Sequence, residues 1–375
     1  MRLLLLLLLF ADSFAQTTPR LQDSHTPESL RGICAVSRQT AWASGTHGTY
    51  LRTLDGGRSW TPGQIPDARN LDFRAVVAFS SDEAFLMSAG PGDQSRIYHT
   101  SDGGLDWQLQ FQNDNPRGFF DAMAFWDSKH GIVLGDPVAD DTGKLKFELL
   151  FTEDGQTWHA MAASRLPEAL EGEGAFAASN SSIARLRPVN DGNIWFATGG
   201  KAARVFHSAD RGQTWTVVDT PLVHGSDSAG VFSIAFRDAL HGIVVGGDYK
   251  HPSDDVPNLA FTSDGGKTWN LERAAAARGF LSAVAYVDPQ RWVLVGPDYV
   301  MDFGQKRRRK YQNQKFNAVS TVEAGGWLVG PKGAISRWSL TRQASPVWLT
   351  RPGVECITKV LSLPAFFLPS RNLGR

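Results

Sequence analysis

Five short segments of this 375-residue chain are variants of one phrase. Residues 53–60 read TLDGGRSW, 100–107 TSDGGLDW, 208–215 SADRGQTW and 262–269 TSDGGKTW, and 152–158, TEDGQTW, is one residue shorter. Their aspartates, Asp55, Asp102, Asp154, Asp210 and Asp264, stand 47, 52, 56 and 54 residues apart. A return at such a period marks an array of similar units, none of which buries both of its faces alone. A reaction centre needs one set of groups in one place, so five copies argue for a role in folding. The chemistry is local: an aspartate at the head of a tight turn accepts backbone N–H groups further along it, and the Ser or Thr hydroxyl braces the same turn. Glycine takes positive φ without steric penalty. The tryptophans, Trp60, Trp107, Trp158, Trp215 and Trp269, each carry a ring that can bury about 150–250 Å² between sheets.

The sequence between the copies repeats as well. An apolar run opens each unit: GICAV from Gly32, AVVAF from Ala75, DAMAF from Asp121, IARLR from Ile183, FSIAF from Phe232, SAVAY from Ser282 and NAVST from Asn317. A second run ends in glycine, a third leads into the acidic turn, and the tryptophan opens a fourth. Helical spacing is absent from nearly all of it. Four short strands per unit in seven units predict an all-β chain, a seven-bladed β-propeller in which closure leaves no long sheet edge exposed. The last unit has three clear strands, so residues 18–25 are expected to pair as its outer strand and close the ring; SPVWLTR in the tail competes for that place. A decayed sixth copy of the phrase stands at VMDFGQKR, where Asp302 and Gly304 keep their spacing.

Composition narrows the function. Lys plus Arg and Asp plus Glu both total 38, the formal net charge is zero, and no nucleic-acid partner is expected. Arg2, the apolar run Leu3 to Phe10 and the Ser13-Phe14-Ala15 site read as a signal peptide cleaved after Ala15. The expected product is an exported, periplasmic or secreted monomer: a propeller over 16–340 followed by a tail, 341–375, that lacks the repeat. Cys34 and Cys356 fit either a disulfide that fastens the tail or one buried and one free thiol.

The turn phrase resembles the Asp-box, or BNR, repeat of sialidase-like propellers, [ST]-x-D-x-G-x-[ST]-W. Residues 53–60, 208–215 and 262–269 match it in full, 100–107 departs at Asp106, and 152–158 is one residue short. With SLRGICAV from Ser29 and GGWLVGPKGAISRW from Gly325, the layout over 18–340 is similar to the photosystem II stability/assembly-factor-like family. That resemblance implies an exported seven-bladed propeller. It implies for photosynthetic members a part in assembling a membrane complex, while other members carry loose labels such as glycosyl hydrolase or oxidoreductase.

In such propellers the Asp-box turns occupy one face. Binding is expected on the other, where the inter-blade links and the loops between second and third strands lie. Two of those loops, GDPVADDTGKLKFE with Asp136 and the pair Asp140-Asp141, and GDYKHPSDDVPN with Asp248 and the pair Asp254-Asp255, are long and alike. The link 165–182 adds Glu171 and Glu173, and another adds His224 and Asp227. Arg31 and Arg74 are expected just before the first strands of their units, with Asn317 as their counterpart, and Arg117 and Arg278 lie earlier in other links. These residues predict an acidic and basic rim for a protein partner, with a membrane complex among the candidates.

The alternative is a glycan-binding or glycoside-cleaving propeller. Its two carboxylates would come from Glu171, Glu173, Asp136 and Asp248. The Arg-Ile-Pro signature of sialidases is absent, and none of the six tyrosines is assignable as a nucleophile. No cofactor and no metal are expected; neither Asp-rich loop has a full calcium pattern. HGSDSAG around Ser228 lacks the first glycine of a nucleophile elbow, GDPVADDTGK has the wrong glycine spacing for a phosphate loop, and KRRRK (306–310) reads as a solvated turn.

Overall fold

In a computed structural model of the chain, each acidic turn is closed by its own side chains. Thr53 Oγ1 donates to Asp55 Oδ1 (3.0 Å) and accepts from Gly57 N (2.8 Å), while the carboxylate accepts from Ser59 N (3.0 Å) and Ser59 Oγ (2.7 Å). The same four bonds recur around Asp210 and Asp264. At Asp102 the hydroxyl donor is lost with Asp106, and the carboxylate accepts from Leu105 N and Asp106 N instead. The shortened copy closes one residue earlier: Thr152 Oγ1 accepts from Gly155 N, and Asp154 accepts from Gln156 N and Thr157 N. The turns at Asp55, Asp102, Asp210 and Asp264 are pinned to the hairpin beside them, as when Gly56 N donates to Gln39 O (2.8 Å) and Gly103 N to Asp82 O (2.9 Å). Gly56 sits at φ 76°, and in SADRGQTW Arg211 takes the corresponding place at φ 59°, a conformation an L side chain adopts at some strain.

The structure describes residues 20–186, 191–272, 278–297, 299–302, 307–309, 315–323 and 325–339. All belong to one compact unit, 16–341. The expected signal segment, the tail, Cys356 and residues 303–306 of the decayed sixth copy lie outside them. Arg307–Arg309 of KRRRK is a strand rather than the expected turn: it pairs Tyr299–Asp302 as the outer strand of the sixth sheet. Among the described residues the helices are three 3-10 turns, Pro66–Ala68, Gly92–Gln94 and Ala163–Arg165. Everything else regular is antiparallel sheet, in seven sheets. Their inner strands are, in order, Leu30–Ala35, Asp72–Ala78, Phe120–Phe125, Ile183–Arg185, Ser226–Phe236, Ala283–Asp288 and Ala318–Val322. In the seventh sheet the outer strand is Arg20–Gln22, which pairs Ile335–Ser339 in the register Arg20↔Arg337, Leu21↔Ser336 and Gln22↔Ile335.

The core has the same organisation. Its seven apolar clusters are each shared by two sheets that follow one another, and the first sheet shares one with the seventh. Trp60 is buried with Leu51, Trp327 and Ile335 between the seventh and first sheets, and Trp158 with Phe85 and Phe125 between the second and third. Burial of one such ring stabilises by about 4–6 kcal/mol at 25 cal/mol per Å². Each ring nitrogen meets a glutamine from the outer strand of the preceding sheet: Trp60 Nε1 donates to Gln22 Oε1 (2.9 Å) and Trp158 Nε1 to Gln110 Oε1 (3.0 Å). Trp107 and Trp215 are only partly buried.

Several elements differ from the sequence-based expectation. The fifth sheet has six strands, because Glu173–Gly174 and Gly199–Gly200 pair onto its inner edge. Most of the loop expected from Gly135 is strand: Gly131–Ala139 and Leu145–Thr152 continue as a hairpin past a register shift between Leu134 and Pro137. Asp140 forms its tip, accepting from Thr142 N (2.9 Å), Thr142 Oγ1 (2.6 Å) and Lys144 N (3.1 Å), which accounts for that acidic residue as a turn former. Arg31 and Arg74 lie inside their strands rather than before them, because a bulge adds one residue to each.

The turn bonds carry a pH dependence. The Ser59 N–H draws the Asp55 carboxyl down to about 2, and the Thr268 hydroxyl does the same for Asp264. A depressed folded pKa contributes stability that is present above the ordinary value of 3.8 and is lost as pH falls through about 2. Thermal unfolding between pH 5 and pH 2 should therefore show a falling Tm, with a shallower fall in the Asp55→Asn/Asp264→Asn variant. At pH 7, Asp264→Ala should lower Tm by about 2 °C.

Candidate functional site

The inner-strand bulges set up the candidate site. A bulge leaves one residue outside the ladder and re-aims its side chain. The bulged residues are Arg31 in the first sheet, Arg74 in the second and Asp121 in the third, all near the strand ends that receive the links, and Phe232 within the longer strand Ser226–Phe236 of the fifth. Arg74 Nε donates to Asp72 Oδ2 (2.6 Å). Arg31 is largely enclosed; burial and the neighbouring Arg74 lower its pKa, and Asp72 opposes them.

The link between the third and fourth sheets runs into this group. Ala175 N donates to Asp136 Oδ1 (3.0 Å). Ala177 N donates to Asp121, and Ala177 O accepts from Arg74 Nη1 (2.7 Å). The ring of Phe176 stacks on Phe232 with centroids 3.8 Å apart, and Phe280 meets Phe232 edge-on at 4.6 Å. The close approach depends on glycine: a Cβ on Gly174 would stand 2.8 Å from Asp136 Oδ1, and one on Gly199 would stand 2.2 Å from the Phe176 ring. Further along, Ser179 Oγ donates to Ser282 O (3.2 Å), Ser181 Oγ to Ser233 Oγ (2.7 Å), and Met123 N to Asn180 Oδ1 (2.8 Å).

The two carboxyls here are unlike those of the turns. Asp121 is 1% exposed. Burial and then the charge of Asp136 hold its pKa well above the carboxylate range, against the pull of Arg74. Burial also pushes half-buried Asp136 up to about 6, against the Ala175 N–H. Asp248 behaves in the opposite way. Partial burial acts upward, but hydrogen bonds from His251 (3.0 Å) and Ser228 outweigh it and bring the group to about 2.

The sequence-predicted residues therefore fall into separate groups. Arg31, Arg74 and Asp136 meet around the link. Asp248 stands with His251 in the fifth sheet's loop, where Tyr249 approaches Phe232 at 6.0 Å. Arg117, Glu171 and His224 are exposed on the links, and Asp227, expected on a link, is exposed near the start of the fifth sheet's strand Ser226–Phe236. Arg278 faces Asp255 at 3.8 Å. Glu173 is a structural anchor: its side chain is 0% exposed, and its carboxylate accepts from Arg204 Nε (2.9 Å) and Nη2, from Thr198 Oγ1 (2.6 Å) and from Leu170 N (2.9 Å). Four donors occupy its lone pairs, which leaves none for an incoming substrate. Sequence reasoning missed Asp121, Asp72, Phe176 and Phe232 as site residues. The signal was present in the apolar runs, where Arg31-Gly32, Arg74-Ala75, Asp121-Ala122 and Phe232-Ser233 align as one variable residue before a small one.

With this geometry the architecture is that of an all-β propeller, a class that solved structures of low identity share. YCF48 bound to D1 peptide superposes with a TM-score of 0.60 at 16% identity, covering 87% of this chain and 98% of that one. A catalytically inactive virginiamycin B lyase from Staphylococcus aureus, with quinupristin, superposes with a TM-score of 0.59 at 10% identity, covering 87% and 100%. No family model matches the chain. By sequence it is similar to the photosystem II stability/assembly factor HCF136, chloroplastic, of Arabidopsis thaliana: 23% identity over 302 residues, 68% of this chain and 70% of that protein. The protein of the same description from Cyanidioschyzon merolae is 22% identical over 318 residues, 69% and 68% of the two chains.

Breaking a buried pair strands a charge, at about 3–5 kcal/mol. Glu173→Ala should therefore destabilise by that amount, whereas Glu171→Ala should change stability by less than about 0.5 kcal/mol. Denaturant unfolding of the two variants checks this.

Proposed function

We propose that this chain is an exported, non-catalytic propeller that binds a segment of another protein and serves as an assembly or stability factor for a membrane complex. The similarity to two photosystem II stability/assembly factors over some two thirds of the chain carries the reading. A propeller of the same fold, YCF48, is bound to a peptide. The fold alone does not decide, since a lyase shares it. The face itself favours binding over hydrolysis. Of the four carboxylates that a glycosidase would draw on, Glu173 is locked to Arg204, Asp136 holds the Ala175 N–H, and Asp248 holds His251.

In this reading residues 1–15 are a signal peptide, 16–340 form the ring and 341–375 are a tail. The seven sheets are seven blades, and the seven shared clusters together with the Arg20–Gln22 strand support a ring closed between first and last. The turns at Asp55, Asp102, Asp154, Asp210 and Asp264 are Asp-boxes on one face, with a structural task. The partner meets the opposite face, over Arg31, Arg74, Arg117, Arg278, Asp136, Asp248, His224 and Asp227.

The test is capture from a detergent extract of the source's membranes on immobilised protein, with the captured subunit identified and its affinity measured. Arg117→Glu with Asp227→Lys and Tyr249→Ala, all exposed on the link face, should weaken binding about tenfold or more. Leu105→Glu, on an acidic turn, should leave it unchanged. Loss of binding with Leu105→Glu alone, or turnover of fluorogenic glycosides, would overturn the proposal.

A further inference from the structure

Residues 174–182 touch more of the molecule than a link between neighbouring sheets needs to. Ala177 O is held by Arg74 of the second sheet, and two residues later Ser179 Oγ is held by Ser282 O, just before the inner strand of the sixth. Two residues of extended chain reach about 7 Å at most. In a ring of seven, the second and sixth blades are three steps apart, as far as two blades can be. A segment that bonds to both within two residues lies across the axis. Its other contacts radiate from the same place: Asp136, Asp121 and Met123 in the third sheet, and Phe232 and Ser233 in the fifth.

We propose that residues 174–182 are a releasable plug of the axial mouth, seated by the carboxyl groups of Asp121 and Asp136 and loosened when both are ionised. The proposal takes the ring as given and does not depend on any partner. The geometry gives each carboxyl one plug N–H, Ala177 for Asp121 and Ala175 for Asp136. Asp121 Oδ2 is buried and has no hydrogen-bond partner among the described residues. A buried carboxylate oxygen without a donor is strongly disfavoured, so seating the plug favours the protonated form of Asp121, against the pull of Arg74. Asp136 beside it titrates near 6. Above that pH the seated plug covers the Asp136 charge, and ionising Asp121 as well would set two like charges side by side in a medium of low dielectric, whereas lifting the plug admits water to both.

The sign follows. Both folded values are raised, so the seated state binds protons more tightly than the lifted one and is favoured in acid; its advantage falls as pH rises through about 6 and beyond. The other charged groups around the plug are Arg31 and Arg74, which stay charged throughout, Asp72, which holds Arg74, and the Arg204–Glu173 pair at the plug's root. Glu148, raised by burial, sits on the strand next to Asp136 and holds Asn113. His251 is raised by its bond to Asp248, and its neighbour Tyr249 touches Phe232 from outside.

The experiment is hydrogen exchange with mass spectrometry on the full chain between pH 5 and pH 8, corrected for intrinsic exchange rates. The peptide over 174–182 should lose about tenfold or more of its protection across this range, the span of one pKa unit or more. A peptide over Leu145–Thr152 should keep its own. Asp121→Asn with Asp136→Asn keeps the acceptors and removes the charges, and should flatten the profile. His251→Gln should leave it as in the wild type. Protection of 174–182 that is independent of pH, or that falls in step with Leu145–Thr152, overturns the proposal. So does a fall that persists in the asparagine variant or disappears in His251→Gln. Should the asparagine variant fail to fold, the wild-type comparison of the two peptides and the His251→Gln profile still decide.

Discussion

Everything in this molecule follows from the fact that a four-stranded sheet with two apolar faces is unstable alone. Such a sheet loses conformational entropy on forming and recovers it only if both faces leave water. Alternating residues of one strand serve different neighbours: Ala75 and Val77 join the cluster with the third sheet, whereas Val76 and Ala78 join that with the first. The same alternation runs through Ile243 and Val245 against Val244 in the fifth sheet. Seven sheets that share seven clusters leave no face without a partner, which an open row of seven, with six contacts, does not achieve. The tryptophan after each acidic turn belongs to this economy of surface, filling the outer part of the gap where the sheets diverge.

This explains how much could be read from the sequence and where reading stopped. The inner, second and third strands were legible because apolar runs of four to six residues, bounded by glycine, have few alternative folds. The acidic turns were legible because their bonds are made within five or six residues. The strand Arg20–Gln22 was inferred from a deficit, a last unit one strand short. Contacts between residues far apart were not legible. Nothing local says that Glu173 will meet Arg204, since the partners are 31 residues apart and the bridge depends on a link folding onto the fifth sheet. The long hairpin from Gly131 was hidden by Pro137, which ordinarily argues against a strand and is tolerated here beside a register shift.

The candidate site was half visible for the same reason. Arg31 and Arg74 stood out as charges at matching places, but their bulges, which decide where the side chains are aimed, leave no mark in composition. Asp121 and Phe232 occupy the same place with different chemistry, and a search for like residues at like positions passes over them. The carboxylates show the difference that environment makes. Asp55 and Asp264, half-buried at turns and surrounded by donors, are held near 2, while Asp136, half-buried but more strongly desolvated and given one N–H, is held near 6. The residue type is common to all three; burial and the number of donors set the acidity.

A division of labour between the two ends of the sheets results. At one end the same turn is built five times, three times from the same four bonds, and substitutions inside it are answered locally, as Asp106 and the shortened copy at Asp154 show. At the other end the equivalent bulge position carries two arginines, Arg31 and Arg74, an aspartate, Asp121, and an aromatic ring, Phe232, so its chemistry differs from sheet to sheet. If the bulge served only to bend the strand, any side chain that packs would do, and a buried, charged or potentially charged one would be the worst choice. Placing two guanidinium groups, two carboxyls and a stacked aromatic pair around a single link departs from that default at a cost in desolvation. Such a departure is expected where a protein accepts local instability for an interaction. The repeated end braces the outer hairpins of the sheets, and the end where the copies disagree is the one that departs from what packing alone requires.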